Sequence, residues 1–434
     1  MPAKGPPMID LHDTLAPWHQ APSWCVALSG GLDSTVLLHL LAQQSPVPLR
    51  ALHIHHGLQA AADTWPAHCQ RLCDSLGIPL QVIHVQVAPG ASLEKGARDA
   101  RYAAFAQALC PGELLLTGQH RDDQAETLLF RLLRGAGLRG LSGMPAQRAL
   151  GQGSLLRPLL HTSRDELLAY ATAHGLDWID DPSNQDTQFS RNYLRHHVLP
   201  GLTRRWPQAA RSLARSAAHL AEAQGLLDEV AQQDLALAST PDAFNWLGCP
   251  SLDLEVLRQL SPARQRNALQ YWLAPRTRLP DSRHWSGWDD LRDAGGAGRP
   301  IWRLTDGELH RSGQRVYWLG LEWLTPLAPP GSWPDPCQPL PLPGNGHLTL
   351  SGMLPQGPLQ VRYRQGGEAL AVEGRGRRDL KRLFNERQLP LFARNRVPLL
   401  YQGDQLLAVA NLPGLGPTDC QLNWCVPTSA QGLR

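Results

Sequence analysis

Trp24-Cys25-Val26-Ala27-Leu28-Ser29-Gly30-Gly31-Leu32-Asp33-Ser34 is an apolar run that breaks at paired glycines and opens a helical pattern over residues 34–43. A short apolar run closed by a glycine turn reads as a buried strand feeding a helix. The first amides of a helix have no intrahelical partner and carry the positive end of its dipole. Glycines let the main chain curl around an anion there, and serine hydroxyls add donors. Asp33 is the odd member, because a carboxylate beside phosphates repels them unless a cation such as Mg²⁺ intervenes. A plain strand-to-helix turn capped by Ser34 would account for a bare Ser-Gly-Gly, but not for both serines and the aspartate. Ser29, Gly30, Gly31, Leu32, Asp33 and Ser34 are therefore assigned to nucleotide phosphates, with Asp33 as the magnesium contact.

Outward from this turn the pattern alternates. Strand signals over 24–28, 49–54, 80–87 and 113–117 are interleaved with helical ones over 34–43, 60–76, 93–109 and 122–134. Such alternation implies βαβ units and a doubly wound parallel sheet of the α/β class. Ser163-Arg164-Asp165-Glu166 has the capping-box pattern and starts a further helix.

From Trp206 the pattern changes. Leu213, Leu220 and Leu227 recur with Ala217 and Ala231 between them, predicting one long amphipathic helix, and a second helix is expected over 262–273. Residues 326–346 are dense in proline and glycine and read as a linker. The expected division is 1–205 for the α/β domain, 206–325 for a mainly helical domain, 326–346 for the linker and 347–434 for a small basic α+β domain. One basic helix is expected near 377–388.

A length of 434 residues requires more than one core. Residues 1–20 are interrupted by prolines and carry Asp10 and Asp13, which is not a secretory leader, so a cytoplasmic location without a membrane anchor is expected. The eight cysteines form no Cys-x-x-Cys, and Cys69 and Cys73 read as packing residues. Net charge is only +3, but residues 361–400 hold ten Arg or Lys against four Asp or Glu, a local +6. A basic tail on a mildly acidic body suggests a polyanion partner.

Further motifs sit where parallel strands end, and that is where such sheets bind ligands. His53-Ile54-His55-His56-Gly57-Leu58 ends the second strand; neighbouring side chains there diverge, so substrate contact and turn packing are preferred to metal. Thr117-Gly118-Gln119-His120-Arg121-Asp122-Asp123-Gln124-Ala125-Glu126-Thr127 leaves the fourth strand. Acidic residues in a first turn ordinarily complement the dipole. Three carboxylates with His120 beside a nucleotide crevice could also hold Mg²⁺, bind a cationic co-substrate or take a proton from an amine. Asp181-Pro182-Ser183-Asn184-Gln185-Asp186 leads into Phe189, Arg191, Asn192 and Arg195.

No Gly-Lys-Ser/Thr occurs, and the 29–34 turn resembles the PP-loop of ATP pyrophosphatases, which cleave ATP between the α and β phosphates. The larger set resembles tRNA(Ile)-lysidine synthetase. It adds Glu94, Ala97, Arg98, Arg101 and Tyr102, the run 134–144, and Arg157-Pro158-Leu159-Leu160. In the tail, Gly366-Gly367-Glu368, Leu380-Lys381-Arg382-Leu383-Phe384, Arg394, Arg396 and Pro398 are similar to the family's C-terminal domain. The chain departs from the family pattern at His55, at Gln119 and around Lys95-Gly96, so no role is carried onto His55 or Gln119.

The resemblance implies that ATP and Mg²⁺ adenylate the wobble cytidine of a CAU-anticodon isoleucine tRNA and that free lysine then displaces AMP. It implies Asp33, Asp123 and Glu126 as catalytic residues, Asp123 and Glu126 being the proton acceptors. His56, Glu94, Arg98, His120, Asp122, Asn184, Arg191 and Arg195 are expected substrate contacts. Arg375, Arg377, Arg378, Lys381, Arg382, Arg394 and Arg396 are expected to meet tRNA, as is the 206–325 domain. Self-association into a homodimer stays open. A tRNA thiolase would want paired cysteines or an iron–sulfur cluster. An NAD synthetase would not need the later domains, and an inert tRNA-binding protein would not need an intact loop with all three acids.

Overall fold

In the computed structural model, β1 (Trp24–Ala27) is the second-half partner of two parallel neighbours, pairing with β2 (Leu49–His55) and β4 (Leu114–Leu116). The structure describes residues 9–57, 59–87, 93–280, 284–295, 298, 300–353, 355, 357–372, 374–417 and 420–427, without the side chains of residues 60, 61, 93 and 94. The chain divides into two compact units between Leu226 and Leu227.

In the first unit the sheet order is β3-β2-β1-β4-β6-β5, with β3 at Leu80–His84, β5 at Gln147–Leu150 and β6 at Gly153–Leu156. Trp24 and Val26 join Leu37, Leu41 and Leu114 in one core, and Cys25 joins Leu52, Phe105 and Leu115 in the opposite one. Strands buried on both faces are continuously apolar because helices cover each side. The helices are α1 (Leu32–Gln44), α2 (Trp65–Leu76), α3 (Leu93–Ala108), α4 (Arg121–Leu133) and α5 (Arg164–Ala173). Chain order reverses between β1 and β4, so the turns that follow these two strands diverge at the crevice where α/β sheets bind ligands.

The structure extends the expectation at the sheet edge. β6 adds parallel to β4, but β5 turns back antiparallel in a hairpin absent from the strand–helix alternation. Gly151 makes that turn at φ +56°, where a Cβ would lie 2.2 Å from the Ala106 carbonyl oxygen. Residues 60–64 form a 3-10 turn before α2 rather than its first turn. The long helix runs over Ala209–Ala238. Its buried positions are Ala217, Ala231, Asp234, Leu235 and Ala238, while Leu227 is 39% exposed. A strict seven-residue repeat drifts around a straight helix, so the leucine stripe leaves the contact face.

Over 206–325 the expected helices do not stand alone. Helices Leu254–Gln259, Pro262–Leu273 and Ser286–Asp293 pack on an antiparallel sheet of Ser251–Asp253, Arg315–Gly320, Gly307–Ser312 and Ile301–Leu304. Trp288, Trp302 and Trp318 are buried there. The strands escaped notice because one face carries Glu308 and His310, which are hydrogen-bonded at 2.8 Å.

Residues 326–346 are also not a linker. Trp333 and Leu342 belong to the C-terminal core, and short strands at Ser332–Trp333 and Leu340–Pro341 join its sheets. The pin is Arg396, only 6% exposed, which donates to Asn345 Oδ1 at 3.2 Å, to Gly344 O at 2.7 Å and to Trp323 O. Its guanidinium also lies 5.2 Å from the centre of the Trp323 ring. Every donor face is turned inward, so Arg396 is withdrawn from the expected phosphate contacts. Replacing Arg396 by alanine strands buried acceptors and is expected to cost about 3 kcal/mol in urea denaturation. The salt dependence of RNA binding should be unaltered; a flattened slope in a stable variant would restore the phosphate role.

The expected basic helix is shorter. Arg377 and Arg378 lie on a hairpin strand, Gly376–Asp379, and the helix is Leu380–Glu386, capped by Asp379, which accepts from Arg382 N–H at 3.0 Å. Arg375, Arg377, Lys381 and Arg382 are exposed and Arg378 is half-buried. Arg394 donates to Leu389 O at 2.8 Å and Asn385 Oδ1 at 2.5 Å, which commits part of its fork to the loop. No helix among the described residues is long and apolar enough to cross a membrane.

Candidate active site

The turn after β1 is stapled by its own serines. Ser29 N–H donates to Ser34 Oγ at 3.1 Å, Gly31 N–H donates to Ser29 Oγ at 3.3 Å, and Ser34 Oγ donates to Gly31 O at 3.0 Å. The hydroxyl of Ser34 thus helps to hold the shape of the loop, and Ser34 also lines the cavity beside it. Gly31 is the N-cap of α1 and no side chain caps the helix, which leaves its first amides available to an anion. Gly30 takes φ +86°, and Ile179 N–H donates to its carbonyl at 2.9 Å. A Cβ on Gly30 would sit 2.7 Å from Ile179 Cδ1.

The turn after β4 presses directly on this loop. A Cβ on Gly118 would lie 3.0 Å from the Asp33 carbonyl carbon and 3.1 Å from Ser34 N. These are helix-start backbone atoms that cannot swing aside. Gly118→Ala should push the phosphate loop back slightly and lower kcat/KM for ATP roughly tenfold, short of the hundredfold penalty for a misplacement of about an ångström. Unchanged ATP kinetics in a folded variant would show that the two turns do not need this contact.

Asp33 is the carboxylate without a firm partner. Its Oδ1 is buried without a hydrogen bond, its nearest cation being Arg164 Nη1 at 3.9 Å. Burial, reinforced by neighbouring Asp123, raises its pKa, and His120 and Arg164 only partly oppose this. Asp123 and Glu126 are in the opposite state. Arg191 donates Nε to Glu126 Oε2 at 2.9 Å and Nη2 to Asp123 Oδ1 at 3.1 Å. Arg195 donates Nε to Glu126 Oε1 at 2.7 Å and Nη2 to Asp123 Oδ1 at 3.1 Å. Burial works against the charge on Asp123, yet His120 and the two arginines outweigh it and hold its pKa low. Two carboxylates expected to accept a proton are thus tied up by two arginines expected to contact substrate.

His120 knits these groups together. It is 1% exposed and caps α4, its Nδ1 accepting from Asp122 N–H at 3.2 Å. The other nitrogen then carries the proton and lies 3.6 Å from Asp33 Oδ2 and 3.5 Å from Asp123 Oδ2. Burial disfavours its charged form, but Asp122, Asp123 and Asp33 together raise its pKa. Asp122 also accepts from Arg164 N–H at 2.9 Å, so it joins the starts of α4 and α5 rather than facing substrate.

Part of this set lines a cavity of about 380 Å³, whose wall does not include His120, Asp122, Glu126 or Arg191; the volume is within the range of small-molecule sites. Ser29, Asp33, His56, Asp123, Asn184 and Arg195 all reach it. His56 is pushed down to about 4 by burial first and then by Arg101, so it is neutral at physiological pH. Arg98 is exposed and stacks on Tyr102, its guanidinium 5.4 Å from the ring centre, and does not line the cavity. The side chain of Glu94 lies outside the described residues. Gln119 reaches the cavity and accepts from Thr117 Oγ1 at 2.5 Å, whereas His55 pairs with Asp63 at 3.3 Å.

Sequence reading passed over Trp65, Phe105, Arg164 and Ile179 in the cavity wall. Arg164 was visible only as part of a capping box, and nothing in the local pattern of Ile179 points to Gly30. Arg101, quoted for its resemblance without a role, also lines the cavity, and no carboxylate pairs with it among the described residues.

The chain matches family models described as a PP-loop domain over residues 8–202, a TilS substrate binding domain over 252–317 and a TilS substrate C-terminal domain over 359–418. It is 67% identical to a protein of Pseudomonas putida over 96% of this chain and 99% of that one. It is 63% identical to one of Pseudomonas fluorescens over 99% and 100%, and 60% identical to one of Pseudomonas aeruginosa over 98% of each. All three relatives are named tRNA(Ile)-lysidine synthase.

Proposed function

The chain belongs to the tRNA(Ile)-lysidine synthase family and is an ATP-using ligase that forms lysidine in tRNA, and from that premise we propose how its residues divide the reaction. The tRNA is an isoleucine tRNA with a CAU anticodon, the second substrate is free lysine, and the compartment is the cytoplasm. In the first step the carbonyl oxygen on carbon 2 of the wobble cytosine attacks the α-phosphorus and pyrophosphate leaves. In the second the lysine side-chain amine attacks carbon 2, loses a proton, and AMP departs with the former carbonyl oxygen.

The amides at the start of α1 receive the departing diphosphate, preorganised by the Ser29 and Ser34 staples. Asp33 fits a Mg²⁺ contact, since its Oδ1 is buried without a hydrogen bond and burial disfavours its bare charge. A magnesium ion typically keeps several waters and takes one or two carboxylates plus substrate phosphates, and there it would neutralise the diphosphate charge. Arg101, which has no carboxylate partner among the described residues, and neutral His56 suit the anionic and polar parts of the nucleotide or the amino acid.

The amine arrives as an ammonium and must be deprotonated. In the free protein burial raises the proton affinity of Asp33, whereas Asp123 is held ionised, and His120 lies between the two. With Asp33 committed to the cation, the proposed proton acceptors remain Asp123 and Glu126, which Arg191 and Arg195 hold side by side. Asp123, ionised and facing the cavity, attracts the ammonium; Arg191 and Arg195 hold its orientation.

The observation that carries this reading is the unpartnered Asp33 oxygen at the mouth of an uncapped helix. Incubation with ATP, Mg²⁺, labelled lysine and unmodified tRNA should place label in RNA only when ATP is present. Incorporation without ATP, or none with it, would overturn the proposal.

In the second unit, Arg375, Arg377, Arg378, Lys381 and Arg382 remain the proposed phosphate contacts. Arg375 and Arg382 share Glu386 at 3.0 Å each, but exposed pairs of this kind are weak and exchangeable. If each of the five meets one phosphate, their replacement by glutamine should flatten the log–log salt slope of tRNA binding by about four units. An unaltered slope would make them an ordinary solvated surface.

A further inference from the structure

Residues 187–221 contain six arginines, at 191, 195, 204, 205, 211 and 215, and no Asp or Glu. Arg191 and Arg195 are consumed by Asp123 and Glu126. The other four are exposed, and none has an ion-pair partner among the described residues. A row of unneutralised guanidinium groups on helices is a footprint for a polyanion.

The same stretch exposes aromatic faces. Tyr193 is 52% exposed and Trp206 is 58% exposed. The Tyr193 and His197 rings stand 5.0 Å apart, tilted by 41°, and Arg205 lies 5.7 Å over Trp206. Single exposed aromatics are unremarkable, but Tyr193 and His197 alternate with Arg191 and Arg195 on one helical run, and Trp206 is the extended C-cap where that run ends at Arg205. Tyr193 is two residues from both Arg191 and Arg195, about 200° around the helix, so the run that clamps the acids with one face shows rings with the other. That run is also locally a π-helix, Leu194–Val198, an uncommon element frequent at functional sites.

Duplex RNA buries its base faces, and only unpaired nucleotides can use such rings. A base that undergoes chemistry must also leave its stack, so its neighbours need a new one. We propose that the acid-free stretch 187–221 receives the single-stranded loop of the RNA substrate, with Tyr193, His197 and Trp206 stacking unpaired bases and Arg204, Arg205, Arg211 and Arg215 on the backbone. It rests on the reading of the chain as a tRNA-modifying ligase.

The test uses the full chain and two synthetic RNAs, a stem-loop with CAU at its apex and a blunt duplex of the same length. Tyr193→Leu and Trp206→Leu should each weaken stem-loop binding about tenfold or more. Tyr193→Phe and Trp206→Phe should restore it, and duplex and ATP affinities should stay at wild-type values. Changing the four arginines to glutamine should lower the stem-loop salt slope by about three units. Wild-type stem-loop affinity in both leucine variants, or equal losses on stem-loop and duplex, would overturn the inference and leave the ligase reading standing. A wild-type protein that binds neither RNA would overturn both.

Discussion

Asp33→Asn is expected to reduce lysidine formation at least a hundredfold and, in the same experiment without ligands, to raise the thermal stability of the protein. The first effect follows from removing a charge that organises the diphosphate end of the reaction; preorganised groups of this kind are worth about 3 kcal/mol in the transition state. The second follows from the raised pKa of Asp33, caused by burial and by Asp123. The folded protein binds this proton more tightly than the unfolded chain, so ionisation of Asp33 destabilises the fold. That cost develops as pH rises from the unfolded value near 3.8 through the higher folded value. The stability gain of Asp33→Asn should therefore be full at neutral pH and shrink towards pH 4. A variant that is inactive but less stable at neutral pH would mean that Asp33 is satisfied in the free protein and awaits no cation.

Arg195→Ala should be the most damaging single change to the clamp. Arg195 donates to Glu126 Oε1 at 2.7 Å, to Glu126 Oε2 at 3.0 Å and to Asp123 Oδ1 at 3.1 Å, and Glu126 is 1% exposed. Removing one partner of a buried ion pair typically costs 3–5 kcal/mol, roughly, because the remaining charge has no water to replace it. Arg191 still reaches both acids, so the lower end, about 3 kcal/mol, is expected in urea denaturation. Lysine should not rescue, since a single ammonium cannot bridge the two carboxylates as the fork does. Combining Arg195→Ala with Glu126→Gln should be milder than the sum of the single changes, because the stranded charge is gone. Strict additivity in that cycle would dissolve the clamp.

The fold of the first unit was legible because parallel strands buried on both faces are written as bare apolar runs, Trp24 to Leu28 being the clearest. The phosphate loop was legible for a local reason: glycines, serines and a helix start lie within a few residues of one another. What failed was long-range or half-exposed. The 301–320 strands alternate with charged residues, and 326–346 was read by its prolines although Asn345 and Trp333 are pinned from far along the chain. The acids were found, but their partners were not matched to them, since Arg191 and Arg195 reach Asp123 and Glu126 only through tertiary contact. The intraloop bonds of Ser34 were not legible, because the sequence cannot show that a hydroxyl also folds back on its own loop. Arg396 failed likewise, being counted with the basic tail when its donors serve a buried turn.

The direct test of the account is the fate of ATP labelled at the α-phosphorus when the protein meets unmodified tRNA without lysine. The account predicts that label enters the RNA as an adenylyl group with release of pyrophosphate, and that later addition of lysine chases it out as AMP. Formation of ADP, or label that never enters the RNA, would contradict it.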